Sequence, residues 1–147
     1  MNLSDRLVKD FKKYLIEKLT IPKNTVQLLR ADILNKSKEL QRELSEEEML
    51  EIVAKQIKQK RSALEEFEKC NRRDLVDKTY MEISILNQYM PEPLTLEELE
   101  VIIKETASEI NATSKKDMGR LMKEIKEQVG VRADGKTISQ LVSQLLS

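Results

Sequence analysis

The residues able to do chemistry in this chain are few, and those most often needed are missing. No histidine occurs among its 147 residues. That removes the commonest general base, the commonest metal ligand and the usual nucleophile triad. The one cysteine, Cys70, has no histidine beside it to form a thiolate and is expected to be inert. Gly119, Gly130 and Gly135 fit neither the phosphate-loop nor the dinucleotide spacing. Glutamates gather at Glu46, Glu47, Glu48 and Glu51, and again at Glu65, Glu66 and Glu68. A metal site in a helical bundle needs inward carboxylates from several helices plus Glu-x-x-His pairs, so these runs read as solvated helix faces. The expectation is therefore no catalytic residue, no metal and no cofactor.

Two groups of cations remain. Lys115, Lys116, Arg120, Lys123, Lys126, Arg132 and Lys136 lie within 22 positions near the end of the chain. Lys116, Arg120 and Lys123 stand at i, i+4 and i+7 and so would share one face of a continuous helix. Gly119 beside them offers a place where a backbone or a phosphate can approach closely. Cations in this pattern suit phosphate neutralisation, which is sequence-independent. Aromatics that would stack single-stranded bases are absent from the group, so a structured RNA read by shape is the better fit. The candidate contact residues are Lys115, Lys116, Gly119, Arg120, Lys123, Arg132 and Lys136. A secondary basic cluster, Lys58, Lys60 and Arg61, also reads as a solvated face with i,i+4 partners such as Arg61–Glu65.

The elements that must position these residues are helices. Leu3, Leu7, Phe11, Leu15 and Leu19 recur at helical spacing, and Ile21-Pro22 is expected to break that helix. Asn24 or Thr25 would cap a second helix with Val26, Leu29, Ile33, Leu40 and Leu44 on its stripe. Ser45 and Glu48 form a capping box opening a third, carrying Met49, Ile52, Val53, Ile57, Leu64 and Phe67, with Asn71 as a left-handed stop. A fourth shows Leu75 or Val76, Tyr80, Ile83, Leu86 and Met90. Pro91-Glu92-Pro93 forbids helix and marks a boundary. Beyond it, Thr95 and Glu98 box a fifth helix with Leu96, Leu99, Ile102, Ile103, Ala107 and Ile110. Thr113, Ser114 and Asp117 start a sixth with Met118, Leu121, Met122, Ile125 and Val129, ended by Gly130. Asp134 or Thr137 starts a seventh with Ile138, Leu141, Val142, Leu145 and Leu146. The expected fold is all-α, with a four-helix domain over 1–90 and a three-helix tail domain over 91–147.

Composition narrows the class. Apolar residues are 39% and charged residues 35%, too hydrophobic for disorder and too polar for a membrane protein. No apolar run approaches the roughly 20 residues that span a bilayer. One cysteine permits no internal disulfide, and the first residues do not resemble a signal peptide, so the expected compartment is the cytoplasm. Net charge is zero overall but uneven. Residues 91–110 hold six acids against Lys104, whereas residues 111–147 hold seven bases against four acids.

Taken with their order, several stretches resemble the GatB/YqeY family. These are Lys58-Gln59-Lys60-Arg61, Phe67 through Leu75, Tyr89-Met90-Pro91, Ala112 through Gly119, and Arg132-Ala133-Asp134-Gly135-Lys136. The resemblance covers nearly the whole chain and points to the free-standing YqeY-like type. It implies two helical regions like those ending the B subunit of glutamine-dependent tRNA amidotransferases, where the tail engages the body of the tRNA. A carbon–nitrogen ligase label follows from the family, but the separate catalytic domain has no counterpart here. Cys70-Asn71 stands where the family usually has Ala-Gly, Pro93 where it has Gln. Gly130-Val131-Arg132 also lacks the usual lysine of the basic loop. The reading is an amidotransferase-like accessory protein without independent catalysis, its expected partners tRNA or amidotransferase subunits, with no membrane and no DNA. The alternative is a helical protein-interaction module.

Overall fold

The computed structural model describes residues 1–146 and is all-α, with no strand among them. Seven α-helices follow one another: α1 Leu3–Ile16, α2 Thr20–Leu40, α3 Glu46–Lys69, α4 Arg73–Asn87, α5 Leu96–Glu109, α6 Met118–Val129 and α7 Gly135–Leu146. Short 3-10 turns, Lys115–Asp117 and Gly130–Arg132, flank α6. The chain divides into two compact units, Met1–Met90 and a second from Pro91 on.

In the first unit α3 packs along α4, and α2 packs against both α1 and α4. Leu3, Leu7, Val26, Leu29, Val53 and Leu86 are sealed in its core. Removing such a side chain costs about 2–5 kcal/mol, because the cavity cannot fully collapse. Polar contacts then fix the helix ends. Glu46 at the start of α3 accepts the Leu3 amide at 2.9 Å, and buried Gln56 donates to Asp32 across α2 and α3. Tyr89, just past α4, is buried and donates its hydroxyl to Asp10 at 2.5 Å. Burial, followed by that bond to Asp10, pushes the phenol well above its ordinary range. Arg6 lies over the Tyr89 ring at 5.1 Å and donates to the Gln88 carbonyl at 2.9 Å, so α1 is latched to the end of α4.

Four helices stop in the same way, each at a non-glycine residue with left-handed backbone: Lys18, Gln41, Asn71 and Asn111, with φ between 54° and 58°. At each, two amides turn back onto the last turn, as Leu19 does to Tyr14 and Arg42 to Ser37. Asn71 is the expected stop, and Asn111 carries the same side-chain signal. The stop at Lys18 corrects the expected course of α1, since the helix ends at Ile16 and leaves Leu15 and Leu19 exposed while Tyr14 is buried. Pro22 does not end a helix. It sits in the first turn of α2, where its missing N–H is not needed. Asn24 and Thr25 are accordingly inside α2, and the Thr25 hydroxyl donates to Ile21 O at 2.8 Å instead of capping. Tyr80, expected inside, is exposed.

The second unit joins α5, α6 and α7 around Leu99, Ile103, Leu121, Ile125, Ile138 and Val142. Both expected capping boxes form, Ser45 with Glu48 and Thr95 with Glu98. Leu96 and Leu145 fall outside their expected stripes and are exposed.

Relieving left-handed strain should stabilise the fold. Gln41→Gly is expected to gain roughly 0.5–1 kcal/mol, since an L residue pays about 1–2 kcal/mol there and glycine repays part as unfolded-chain entropy. Chemical denaturation checks it; a loss of stability would show that the Gln41 side chain matters more than its backbone. A second measurement concerns Glu48, whose carboxylate takes a two-pronged bond from Arg42, both arms 2.7 Å. That bond, with the Ser45 amide, lowers its pKa from 4.5 to about 2. A depressed carboxylate pKa gives stability that is complete above the unfolded value and is lost as pH falls through the folded one. Stability should therefore decline between pH 4.5 and about 2, and less steeply in Glu48→Gln.

Candidate nucleic-acid interface

The loop before α6 is organised by one carboxylate. Asp117 accepts the amides of Thr113 at 3.0 Å and Ser114 at 3.4 Å with one oxygen. With the other it accepts from the Arg120 guanidinium at 3.3 Å. The Thr113 amide foremost, then the Ser114 amide and the charges of Arg120 and Lys116, hold its pKa below the usual range against some desolvation. Lys115 and Lys116 are exposed on the 3-10 turn that this loop forms. Because that turn is not α-helical, Lys116 does not continue the stripe of Arg120 and Lys123 as the spacing alone implied.

On α6 itself Gly119, Lys123 and Lys126 stand at i, i+4 and i+7 and share the outward stripe. A Cβ added to Gly119 would have no atom within 4 Å, so the space over this turn is open. Arg120 points to one side and is partly neutralised by Asp117. Lys126, counted in the basic group but left out of the candidate contacts, stretches to α7. Its Cε comes 3.9 Å from where a Gly135 Cβ would lie. It thereby joins Lys123 to the start of α7, where Asp134 accepts the Lys136 amide at 3.3 Å and the Lys136 side chain is exposed.

Arg132 has other work. Its Nε donates to the Glu92 carbonyl at 3.0 Å, and its own carbonyl accepts the Leu94 amide at 2.9 Å. The residue straps the Pro91–Leu94 segment to the tail unit. Of the seven candidates, then, Lys115, Lys116, Gly119, Lys123 and Lys136 face solvent without an ion pair among the described residues, while Arg120 and Arg132 are engaged. In the secondary cluster Lys60 is half-buried and paired with Glu82 at 3.0 Å. Lys58 and Arg61 are exposed. The anticipated Arg61–Glu65 pair is not formed among the described residues.

No group of three or more carboxylates and cysteines comes together to hold a metal among the described residues, and no helix among them is long and apolar enough to cross a membrane. The family of Yqey-like proteins matches residues 4–146. The chain belongs to this family. Among individual proteins, it is similar to "Altered inheritance of mitochondria protein 41, mitochondrial" of Pyrenophora tritici-repentis. The two are 29% identical over 146 residues, covering 96% of this chain and 79% of that protein. Its namesake in Lachancea thermotolerans is 35% identical over 99 residues, 67% of this chain and 53% of the relative. The one in Kluyveromyces lactis is 34% identical over 84 residues, 56% and 45%. The matches thus span about half the length of these last two YqeY-like relatives. All three names include "mitochondrial" and point to mitochondria, which overturns the expected cytoplasmic location. That expectation rested on the lone cysteine and on first residues unlike a secretory signal, and neither bears on a mitochondrial address.

Gly119 offers a direct test of this geometry. With open space and helical backbone, Gly119→Ala should stabilise the tail unit by about 0.5–1 kcal/mol in thermal unfolding. A destabilised variant would show that the turn is more crowded than described.

Proposed function

We propose that this YqeY-like protein is an accessory factor without chemistry of its own, whose tail unit contacts tRNA or another structured RNA. Lys115, Lys116, Lys123, Lys126 and Lys136 supply the phosphate contacts, and Gly119 leaves room for close approach. The observation that carries the reading is the stripe of unpaired, exposed lysines running along α6 to the start of α7. Its support from kinship is the resemblance to the amidotransferase B subunit, whose tail engages the tRNA body. Arg120 and Arg132 act mainly by positioning, through Asp117 and Glu92. Participation with amidotransferase subunits is compatible with the lack of histidine and of any activated nucleophile in this chain.

The test is tRNA binding as a function of salt. Each lost phosphate contact removes about 0.7–0.9 from the slope of log affinity against log salt. Lys123→Ala with Lys126→Ala should lower that slope by about 1.4–1.8 and weaken binding. Arg61→Ala with Lys58→Ala, in the other unit, should change it much less. Both pairs are exposed and should leave helicity unchanged. If wild type binds tRNA no better than an acidic helical protein does, the RNA reading fails. A helical module whose partner is a protein then takes its place.

A further inference from the structure

The corner between α1 and α2 carries a surface that the tail does not explain. Leu15, Ile16 and Leu19 are 52%, 80% and 43% exposed. They are placed there by the stop at Lys18, where left-handed backbone lets the Leu19 amide return to the Tyr14 carbonyl at 3.0 Å. The connection between the helices is only residues 17–19, so the three aliphatics lie exposed together at a tight helix-to-helix reversal. Lys12 and Lys13 stand one turn earlier on α1, and Lys18 is in the corner itself; all three are exposed. Residues 9–23 hold five lysines against Asp10 and Glu17, net +3. None of the five enters an ion pair among the described residues, and Asp10 is occupied by the Tyr89 hydroxyl.

Singly exposed aliphatics need no explanation, but three within five positions, with exposed Lys12, Lys13 and Lys18 and the single exposed acid Glu17 beside them, form a patch of net positive charge. Its place and charge select the occupant. Partner helices and small ligands are taken by concave surfaces, whereas this patch sits at a helix-to-helix reversal. A corner of exposed aliphatics with ammonium groups beside it matches an anionic bilayer surface. The aliphatics enter the boundary between headgroups and acyl chains, and the lysines stay at the phosphate level on their flexible stems. We propose that the α1–α2 corner seats this protein on an anionic lipid surface. This is a peripheral contact, distinct from a membrane span, and it is independent of the RNA reading.

The chain has no tryptophan, so Ile16→Trp in the full chain gives a single fluorescent reporter at the corner. With vesicles of phosphatidylcholine plus phosphatidylserine its emission should shift to the blue and become shielded from an aqueous quencher. Phosphatidylcholine vesicles alone should produce little change. In vesicle sedimentation, Ile16→Ser should cut partition roughly tenfold, and Lys12→Gln or Lys13→Gln about fivefold each. Circular dichroism should show these variants folded, since the residues are exposed. Absence of partition to the anionic vesicles overturns the proposal, as does equal partition to neutral ones. Partition that ignores the corner variants but is lost in Lys123→Ala with Lys126→Ala also overturns it, by assigning the contact to the tail. A blue shift of the reporter with polyglutamate, with tRNA, or with protein concentration alone would put an acidic protein, RNA or a second copy at the corner instead.

Discussion

Everything in this fold depends on stopping helices in a chain that contains almost no glycine. Leucine, glutamate and lysine propagate helix readily, and nothing in their side chains ends it. The chain has three glycines, and α1, α2, α3 and α5 instead end at Lys18, Gln41, Asn71 and Asn111 in left-handed backbone. Each such residue pays a local conformational cost that glycine would not. The cost is offset by what the reversal permits, namely the packing of the two helices it joins against each other. Asparagine bears it more easily, because its short amide tolerates that region. Lysine and glutamine at Lys18 and Gln41 have no such tolerance, and their strain is held by the backbone hydrogen bonds that close each stop and by the packing of α1, α2 and α3.

The same constraint divides the charged residues between structural and free. Where a helix start must be fixed, a charged side chain is used up: Glu48 by Arg42 and Ser45, Asp117 by Thr113, Ser114 and Arg120, Arg132 by the carbonyl of Glu92. Lysines on helix faces away from these junctions divide as well: Lys36, Lys60 and Lys69 pair with Glu39, Glu82 and Glu66, while Lys58, Lys123 and Lys126 enter no ion pair among the described residues. A count of cations along the chain cannot separate the two groups. Lys60 belongs to a basic run but is half-buried against Glu82, while Lys58, two positions away, is exposed.

What could be read in advance was local. A capping box is a relation between residues three apart, so Ser45 with Glu48 and Thr95 with Glu98 were legible, as was the Asn71 stop. The helical class was legible from periodicity, and the tail stripe Leu121, Ile125 and Val129 lies inside as its spacing implies. Chain stops at Lys18 and Gln41 were not legible, since neither residue type signals left-handed backbone. Their position moved the start of α2 ahead of Pro22 and turned Leu15 and Leu19 outward. Tyr80 was placed inside for a related reason: a stripe extended along α4 favours it, whereas the buried tyrosine is Tyr89, past the helix end and bonded to Asp10. In the candidate interface, residue type and spacing identified the cations. Asp117, which engages Arg120, stands three positions before it and is within reach of spacing, whereas the Glu92 carbonyl that engages Arg132 lies 40 positions away and is not.

The two cationic surfaces are physically unlike, and ionic strength separates them. Along α6 the exposed residues are Gly119, Arg120, Lys123, Lys126, Glu127 and Gln128, polar apart from the glycine, so a contact proposed there would be held by charge. Such contacts weaken steadily as counterions compete, with the Debye length near 8 Å at physiological salt. At the α1–α2 corner the lysines lie beside aliphatic side chains, and apolar burial is not screened by salt. A contact there loses its electrostatic part on raising the salt and keeps the rest. Mutation acts with the same asymmetry. On the proposed RNA reading, removing a tail lysine would change the salt slope, because each phosphate contact displaces one counterion. On the proposed lipid contact, removing Ile16 would lower affinity at every salt concentration by a constant factor. The interior of the fold feels neither change, since the lysines and aliphatics concerned lie outside both buried cores.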